Sequence, residues 1–570
     1  SWNGTTQHPL EWLDNNPVKR NRMKVLTSLF AELRPIEGLV LRTVGGLDAS
    51  DNRLTATSNP SYVPNYGSGT VAKSFERYSN LTWTNTANYT FTIKDDHNIS
   101  LLLGQEAVIN QSEGFNVTTR GQSNDKLLTM ATATSATSWD DIVSEATYLS
   151  FFGRAEYNYS NKYYADFSVR RDGSSKFGKD ARWANFWSVG AMWNLKSEDF
   201  LKDIDWLTNL QLIASIGTSG NSSIPNYDHT ALFAAGPQYS GKTGIAPYSR
   251  GNENLTWEKL MTTNIGVKIG LFDRLNLSVE FYNKKTTDML MEVPVTFGNG
   301  FSTKWDNIGA MINRGVEFDV DADIIRTKDF TWNVSANASY NHNEITELYN
   351  GLDEYEISTT GLLLKVGHSY GEFHAVRYAG VNPANGDALW YTKDGELTNR
   401  FSNEDRVLLG KSYVAPWQGG FGTTFSYKGI QLSALFSWVA DRWMMNNDRF
   451  FDESNGTYAV YNQSAKLLNR WQKPGDRTEI PRDGVQTQLD SHLVEDASFM
   501  RLKNLSLSYT FPQLLLKKTK VIERAKVFGQ AQNLLTFTKF TGLDPESNLN
   551  MYRASYPLSR QFSFGIEVTF

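Results

Sequence analysis

The 570-residue sequence contains no cysteine. That removes a disulfide framework, a thiolate metal site and a cysteine nucleophile. Histidine is scarce, at seven residues, and scattered; His229 beside Asp228 and His374 form no recognisable constellation. No GxSxG elbow, HExxH pair or P-loop occurs, so motif-borne hydrolase and nucleotide chemistry is excluded and the chain reads as a non-enzyme. The net charge of −5 is mild and gives no support to a nucleic-acid partner. No run of about 18 apolar residues is present, the length a membrane helix needs. No charged-then-apolar leader opens the chain at Ser1. With a mean hydropathy of −0.43, averages alone suggest a soluble chain. A membrane β-barrel, however, carries its hydrophobicity in every second residue, where averages miss it.

The period-two pattern is present and dominant. In Arg560–Phe570, Phe562, Phe564, Ile566, Val568 and Phe570 share one parity, and Gln561, Ser563, Gly565, Glu567 and Thr569 hold the other. Successive strand residues point to opposite faces, so one face is wholly apolar. The pattern returns in Leu81–Phe91, Leu149–Tyr157, Tyr163–Val169, Ile265–Leu271, Leu275–Phe281, Phe330–Tyr340 and Leu505–Phe511. Roughly 17 such segments, most of about ten residues or more, match tilted membrane-crossing strands.

The connections are asymmetric. Short links fall around Pro35, Asp95, Ser160 to Lys162, Asp273, Thr327 and Lys428, with somewhat longer ones at 196–206 and 512–523. Between them lie long links near 49–74, 111–146, 219–258, 344–415 and 444–497. Antiparallel neighbours joined in this way put short turns at one end and long loops at the other, as in outer-membrane barrels. The fold class expected is all-β: an antiparallel transmembrane barrel with residues 1–570 as one barrel portion and the long links extracellular. Residues 1–20 are expected in an outer loop. An odd strand count leaves unpaired edges that hydrocarbon does not tolerate, so further strands are expected outside this sequence.

Several blocks resemble the SusC/RagA family of TonB-dependent outer-membrane transporters of Bacteroidetes: GRAEYNYSNKYYADFSVRRDGSSKFG (153–178), GNENLTWEKLMTTNIGVKIGLFDRLNLSVEFYNKKTTDML (251–290), NIGAMINRGVEF (307–318), FMRLKNLSLSYTFP (499–512) and NLLTFTKFTGLDPE (533–546). The resemblance implies a 22-stranded barrel, an amino-terminal plug and a TonB box, none of which is complete within these residues. It also implies a SusD-like surface lipoprotein as lid, coupling to the TonB complex, and outer-membrane lipid around the wall. The expected activity is import of an oligomeric nutrient: an oligosaccharide first, a peptide second. A non-transporting scaffold barrel in an envelope assembly or export complex is the reading from another class.

Two sets of residues stand out as candidate sites. Trp183, Trp187, Tyr227, Trp305, Trp390, Tyr391 and Trp443 are assigned to outer loops rich in amides and carboxylates, the combination that binds sugar C–H faces and hydroxyls. Each has the alternative of loop packing or a membrane-interface girdle. Glu317, Asp319, Asp321 and Asp323 share one parity, opposite Val316, Phe318, Val320, Ala322 and Ile324. They therefore form an acidic ladder on the lumen face, and like charges so close call for basic partners nearby. Asn382, Asn385, Asp387, Asp394 and Glu396 miss calcium-loop spacing and read as turns. No metal or cofactor is expected.

Overall fold

The computed structural model describes residues 8–294, 301, 303–357, 362–458, 462–516, 521–547, 549–553 and 555–570. Seventeen strands form one antiparallel sheet: β1 Val18–Leu33, β2 Leu39–Ser58, β3 Gly69–Ile93, β4 His97–Gln122, β5 Ser135–Tyr159, β6 Tyr163–Ser174, β7 Trp183–Asn194, β8 Leu207–Asn221, β9 Glu258–Leu271, β10 Leu275–Thr287, β11 Ala310–Arg326, β12 Phe330–Glu347, β13 Trp417–Tyr427, β14 Ile430–Ala440, β15 Phe499–Thr510, β16 Arg524–Thr538 and β17 Gln561–Thr569. Among the described residues no helix is long and apolar enough to cross a membrane. That says nothing against crossing by strands.

Several short links are tight turns with both central residues at positive φ. Ser160 and Asn161 lie at 50° and 56°, Phe272 and Asp273 at 56° and 53°, and Lys428 and Gly429 at 45° and 91°. Such turns match the right-handed twist of the strands they join. At Gly429 a Cβ would also stand 2.5 Å from the Thr510 carbonyl oxygen, so both conformation and space require glycine there.

The chain divides into two compact units. One comprises residues 1–191, 216–261 and 286–308; the other comprises 192–215, 262–285 and 309–570. In the first, β1 to β6 pair in succession. β3, β4 and β5 run to 25, 26 and 25 residues, so much of the expected links 49–74 and 111–146 is strand. Apolar alternation marks only the lipid-facing band. Beyond it the backbone ladder continues through Thr, Ser and Asn, which alternation does not reveal. The links 175–182, 222–257 and 288–309 pack together around Phe177, Phe186, Ile224, Leu255 and Trp257. Asn307 fastens this knot: its Nδ2 donates to the Thr256 carbonyl, and its Oδ1 accepts from the Thr256 N–H, each at 2.7 Å. Residues 1–7 of the expected outer loop lie outside the described residues. Pro9–Asn15 form a short helix held to the β2–β3 link by Asn59 N–H donating to the Asn15 carbonyl.

In the second unit β11 to β17 pair in succession. Its two longest links are ordered bodies. Residues 348–416 build a six-stranded sheet that includes Glu372–Val381, Ala388–Tyr391 and Arg406–Ser412. Trp443–Asn446 joins Val494–Asp496 and Met551–Tyr552 in a three-stranded one. Met444 and Tyr552 of that smaller sheet form a buried cluster with Ala497 and Phe540.

Candidate functional site

The links 348–416 and 441–498 enclose a cavity of about 670 Å³ lined by Tyr378, Trp390, Arg449, Glu453, Lys466, Asn469, Gln488, Asp490 and His492, among others. Two adjacent strands supply the aromatic wall. Val376, Ala388 and Trp390 are buried together, and Tyr378 meets Trp390 edge to face with centroids 6.2 Å apart. The hairpin between these strands is closed by the Asn/Asp cluster read as a turn. Asn382 Oδ1 accepts from the Ala384 N–H, Gly386 N–H donates to the Asn382 carbonyl, and Asn385 Nδ2 donates to Asp387.

Opposite stands the segment 486–492. Asp490 is buried, and its two oxygens accept from Trp390 Nε1 at 2.6 Å and engage His492 Nδ1 at 2.5 Å. Tyr378 donates its hydroxyl to the Glu479 carbonyl, and burial pushes that phenol well above its ordinary range. A charged net closes one side of the cavity. Arg449 bonds Glu453 at 2.9 Å and Glu495 at 2.8 Å, and Lys466 bonds Glu453 at 3.1 Å. Burial pushes the Glu453 carboxyl up, but Arg449 and Lys466 outweigh it and hold the group below its ordinary value. These charges neutralise one another, which leaves hydroxyls and amides (Thr478, Gln486, Gln488, Asn469) and the Glu479 carboxylate to meet a ligand.

The acidic ladder lies on β11 with Glu317, Asp319 and Asp321 exposed. Asp319 and Asp321 share a concavity of about 400 Å³ with Lys268, Ser335, Asn337, Gly420 and Gly422. Glu317 and Asp319 border a second, of about 410 Å³, with Lys503 and Glu546. Lys268 and Lys503 line these concavities, and Lys503 is already paired with Glu546 at 2.6 Å. Asn333 Nδ2 donates to Asp323 at 3.1 Å, and Arg326 stands 3.8 Å from it. A bulge between Asp323 and Ile325 ends the ladder there by returning Ile325 to the face of Trp332.

The aromatic candidates do not converge. Trp183 and Trp187 lie on β7 and not in a loop: WANFWSVGAMW already alternates from its first residue. They share the exposed face with Val189 and Trp193, opposite buried Phe186. Tyr227 accepts the Glu145 N–H on its hydroxyl, and Trp305 packs against the Phe177–Trp257 cluster. Tyr391 is exposed beneath the Arg377 guanidinium, and Trp443 lies under Lys411 Nζ at 3.9 Å. Of the seven, Trp390 alone lines the cavity, and it is buried with its N–H committed. His229 Nδ1 donates to the Lys176 carbonyl. Sequence reasoning missed Tyr378, Arg449, Glu453, Asp490 and Gln488. Their partners lie up to 113 residues away, and the one local sign is the amide-rich run VQTQLDSH.

A family model described as TonB dependent receptor-like, beta-barrel, matches residues 4–534. TonB-dependent receptor P3 of Formosa agariphila is 30% identical, over 95% of this chain and 58% of its own length. TonB-dependent receptor SusC of Bacteroides thetaiotaomicron is 31% identical over 74% of this chain and 44% of its own. Among solved structures, one described as the RagAB peptide transporter superposes with a TM-score of 0.93 at 35% identity, covering 98% of this chain and 63% of that one. The chain therefore spans less than two thirds of the length of these relatives.

Proposed function

The chain belongs to the TonB-dependent receptor-like β-barrel family, in its SusC/RagA branch and in the outer membrane, and from that premise we propose that it serves TonB-coupled import of an oligomeric nutrient, an oligosaccharide, together with a SusD-like lipoprotein. The observation that carries the choice of ligand is the cavity beside Trp390. A site for charged peptide ends offers free charges. Here Arg449, Glu453 and Lys466 are spent on one another, and Asp490 is taken by Trp390 and His492. Glu479 is the one lining carboxylate without an ion pair among the described residues, and the other polar lining is amide, hydroxyl and aromatic. Such groups suit a neutral polyhydroxylated chain, with amides bonding hydroxyls and ring faces covering C–H surface.

In this reading the long links provide half of a binding chamber and the lipoprotein closes it. Many weak contacts held between two proteins raise apparent affinity with no dominant one. The acidic face of β11 serves as a hydrated docking surface for basic residues of a plug that TonB remodels. A peptide ligand is the second reading, favoured by the resemblance to the RagAB peptide transporter.

The test is binding of neutral glucan and fructan oligomers, against a tryptic peptide mixture, to the protein in outer-membrane vesicles. Oligosaccharide binding should weaken about tenfold in Gln488→Ala, the loss of one or two ligand hydrogen bonds. Saturable binding of peptides with none of sugars would replace the first reading with the second.

A further inference from the structure

The ladder of β2 to β5 continues past the apolar rows of its outward face. Leu47, Leu81 and Ile109 form the last of those rows, and in a polar row beyond it Arg77 pairs with Asp51 and Glu113. In that outlying part β5 is a sheet edge. Its pairing with β4 runs from Ser135 to Tyr159, whereas its pairing with β6 begins only at Tyr148.

Matched backbone groups on the open side stop soon after β6 ends. Thr147 N–H donates to Ser175 Oγ at 2.9 Å, and its carbonyl accepts from the Ser175 N–H at 3.0 Å. Glu145 N–H donates to the Tyr227 hydroxyl at 2.8 Å. In an antiparallel pair, alternate residues turn both N–H and C=O away from the partner strand. The register with β4 is unbroken from Ser138 to Thr147, so Val143, Asp141 and Trp139 present these groups to the same side as Glu145. No hydrogen bond meets them there among the described residues.

The side chains of this edge are bare as well. Ser135–Val143 are exposed without interruption, and Trp139 and Val143 keep 72% and 78% of their surface. Asp140 and Asp141 have no ion pair among the described residues. Across on β4 they meet Asn116 and Phe115, neither of them a cation.

An edge rich in Trp, Ile and Val, with open N–H and C=O groups, is a template for one more strand. The two aspartates select which strand. A second copy of this edge would bring carboxylate against carboxylate, and like charges directly opposite are destabilising. A basic strand meets opposite charge instead. We propose that β5 is a docking edge for a short, extended, basic segment of a partner polypeptide. The segment pairs with Trp139–Val143 through the backbone and sets lysine or arginine against Asp140 and Asp141. Its apolar side chains cover Trp139 and Val143. No residue of the cavity beside Trp390 takes part.

A fluorescein-labelled peptide, Thr-Val-Val-Arg-Arg-Val-Val-Thr, added to the detergent-purified protein tests this. It can set its arginines opposite the aspartates in either strand direction. It should bind saturably and slow amide exchange over residues 139–143. A counterpart with two glutamates in place of the arginines should bind about tenfold more weakly. Asp140→Asn combined with Asp141→Asn should weaken the basic peptide about fivefold, the worth of exposed ion pairs. Val143→Pro removes an N–H from the open side and spares the pairing with β4, a place where proline is tolerated. It should weaken binding about tenfold. A basic peptide with its last two valines replaced by proline keeps the charge and should not slow exchange. Absence of binding by the first peptide, equal affinity in Val143→Pro, or equal protection by the proline peptide overturns strand addition. Equal binding of the glutamate peptide, or an unchanged affinity in the aspartate double variant, overturns the basic partner. Sedimentation showing a wild-type dimer that Val143→Pro makes monomeric, with no competition from the basic peptide, replaces that partner with a second copy.

Discussion

Glu453 is a residue whose protonation should be felt across the ligand cavity. Its side chain is 7% exposed and takes both Arg449 and Lys466, and its pKa in the fold lies below the ordinary glutamate value of 4.5. A carboxyl depressed on folding contributes stability that is fully present above its unfolded pKa and lost as pH falls through its folded one. The links around the cavity should therefore loosen in acid below that range. A fluorophore on a single cysteine at Lys473 would report it, since the chain has no native cysteine. Glu453→Gln should remove the acid transition and, by leaving Arg449 short of a partner, cost about 3 kcal/mol at neutral pH. An acid transition unshifted in that variant would place its origin elsewhere. None of this was legible in the sequence. The acidic ladder could be read because its four carboxylates are neighbours in one strand. Asp490 and Trp390 meet only through folded links, and neither is unusual in its own surroundings. Aromatics chosen by composition were accordingly scattered by the fold among strand face, packing knot and cavity.

The last strand tests the element-scale reading. Phe562, Phe564 and Ile566 are 62%, 84% and 74% exposed, an apolar row with no protein cover. Glu567 lies on the other parity, in register with Lys526 of β16. Phe564→Arg should cost about 2–4 kcal/mol if it lies near mid-membrane, whereas Glu567→Arg on the lumen side should be milder. Heat-modifiability of the assembled protein on gels would compare the two, and equal damage would contradict the parity. The strands were legible because lipid imposes strict alternation, and their count of seventeen followed from it. What escaped were the polar extensions of β3 to β5, where no hydrocarbon imposes the pattern. The bulges between Asp323 and Ile325 and between Leu502 and Asn504 escaped too. At the second the extra residue, Lys503, reaches Glu546 at 2.6 Å. A bulge is a local geometric choice that alternation only interrupts.

At the scale of the whole molecule, the alternation of links fixes a topology that can be tested without knowing the ligand. Antiparallel neighbours send every second link to the same side. Links 348–416 and 441–498, with their own sheets, therefore share a side, and turns such as 94–96 and 428–429 share the other. Burying structured, charged bodies of that size in the periplasm would leave only tight turns such as Lys428-Gly429 to meet nutrients outside. The reverse gives an outer surface able to capture a ligand and a lid. Asp394 and Lys473 are exposed within the long links, and Asp95 and Lys428 are exposed within the turns. Single cysteines at Asp394 and Lys473 should react with a membrane-impermeant maleimide on intact cells. Those at Asp95 and Lys428 should react only after the outer membrane is opened. Labelling of Asp95 on intact cells, with Asp394 protected, would invert the barrel. It would also move the cavity beside Trp390 to the periplasmic side, where a surface lipoprotein could not close over it.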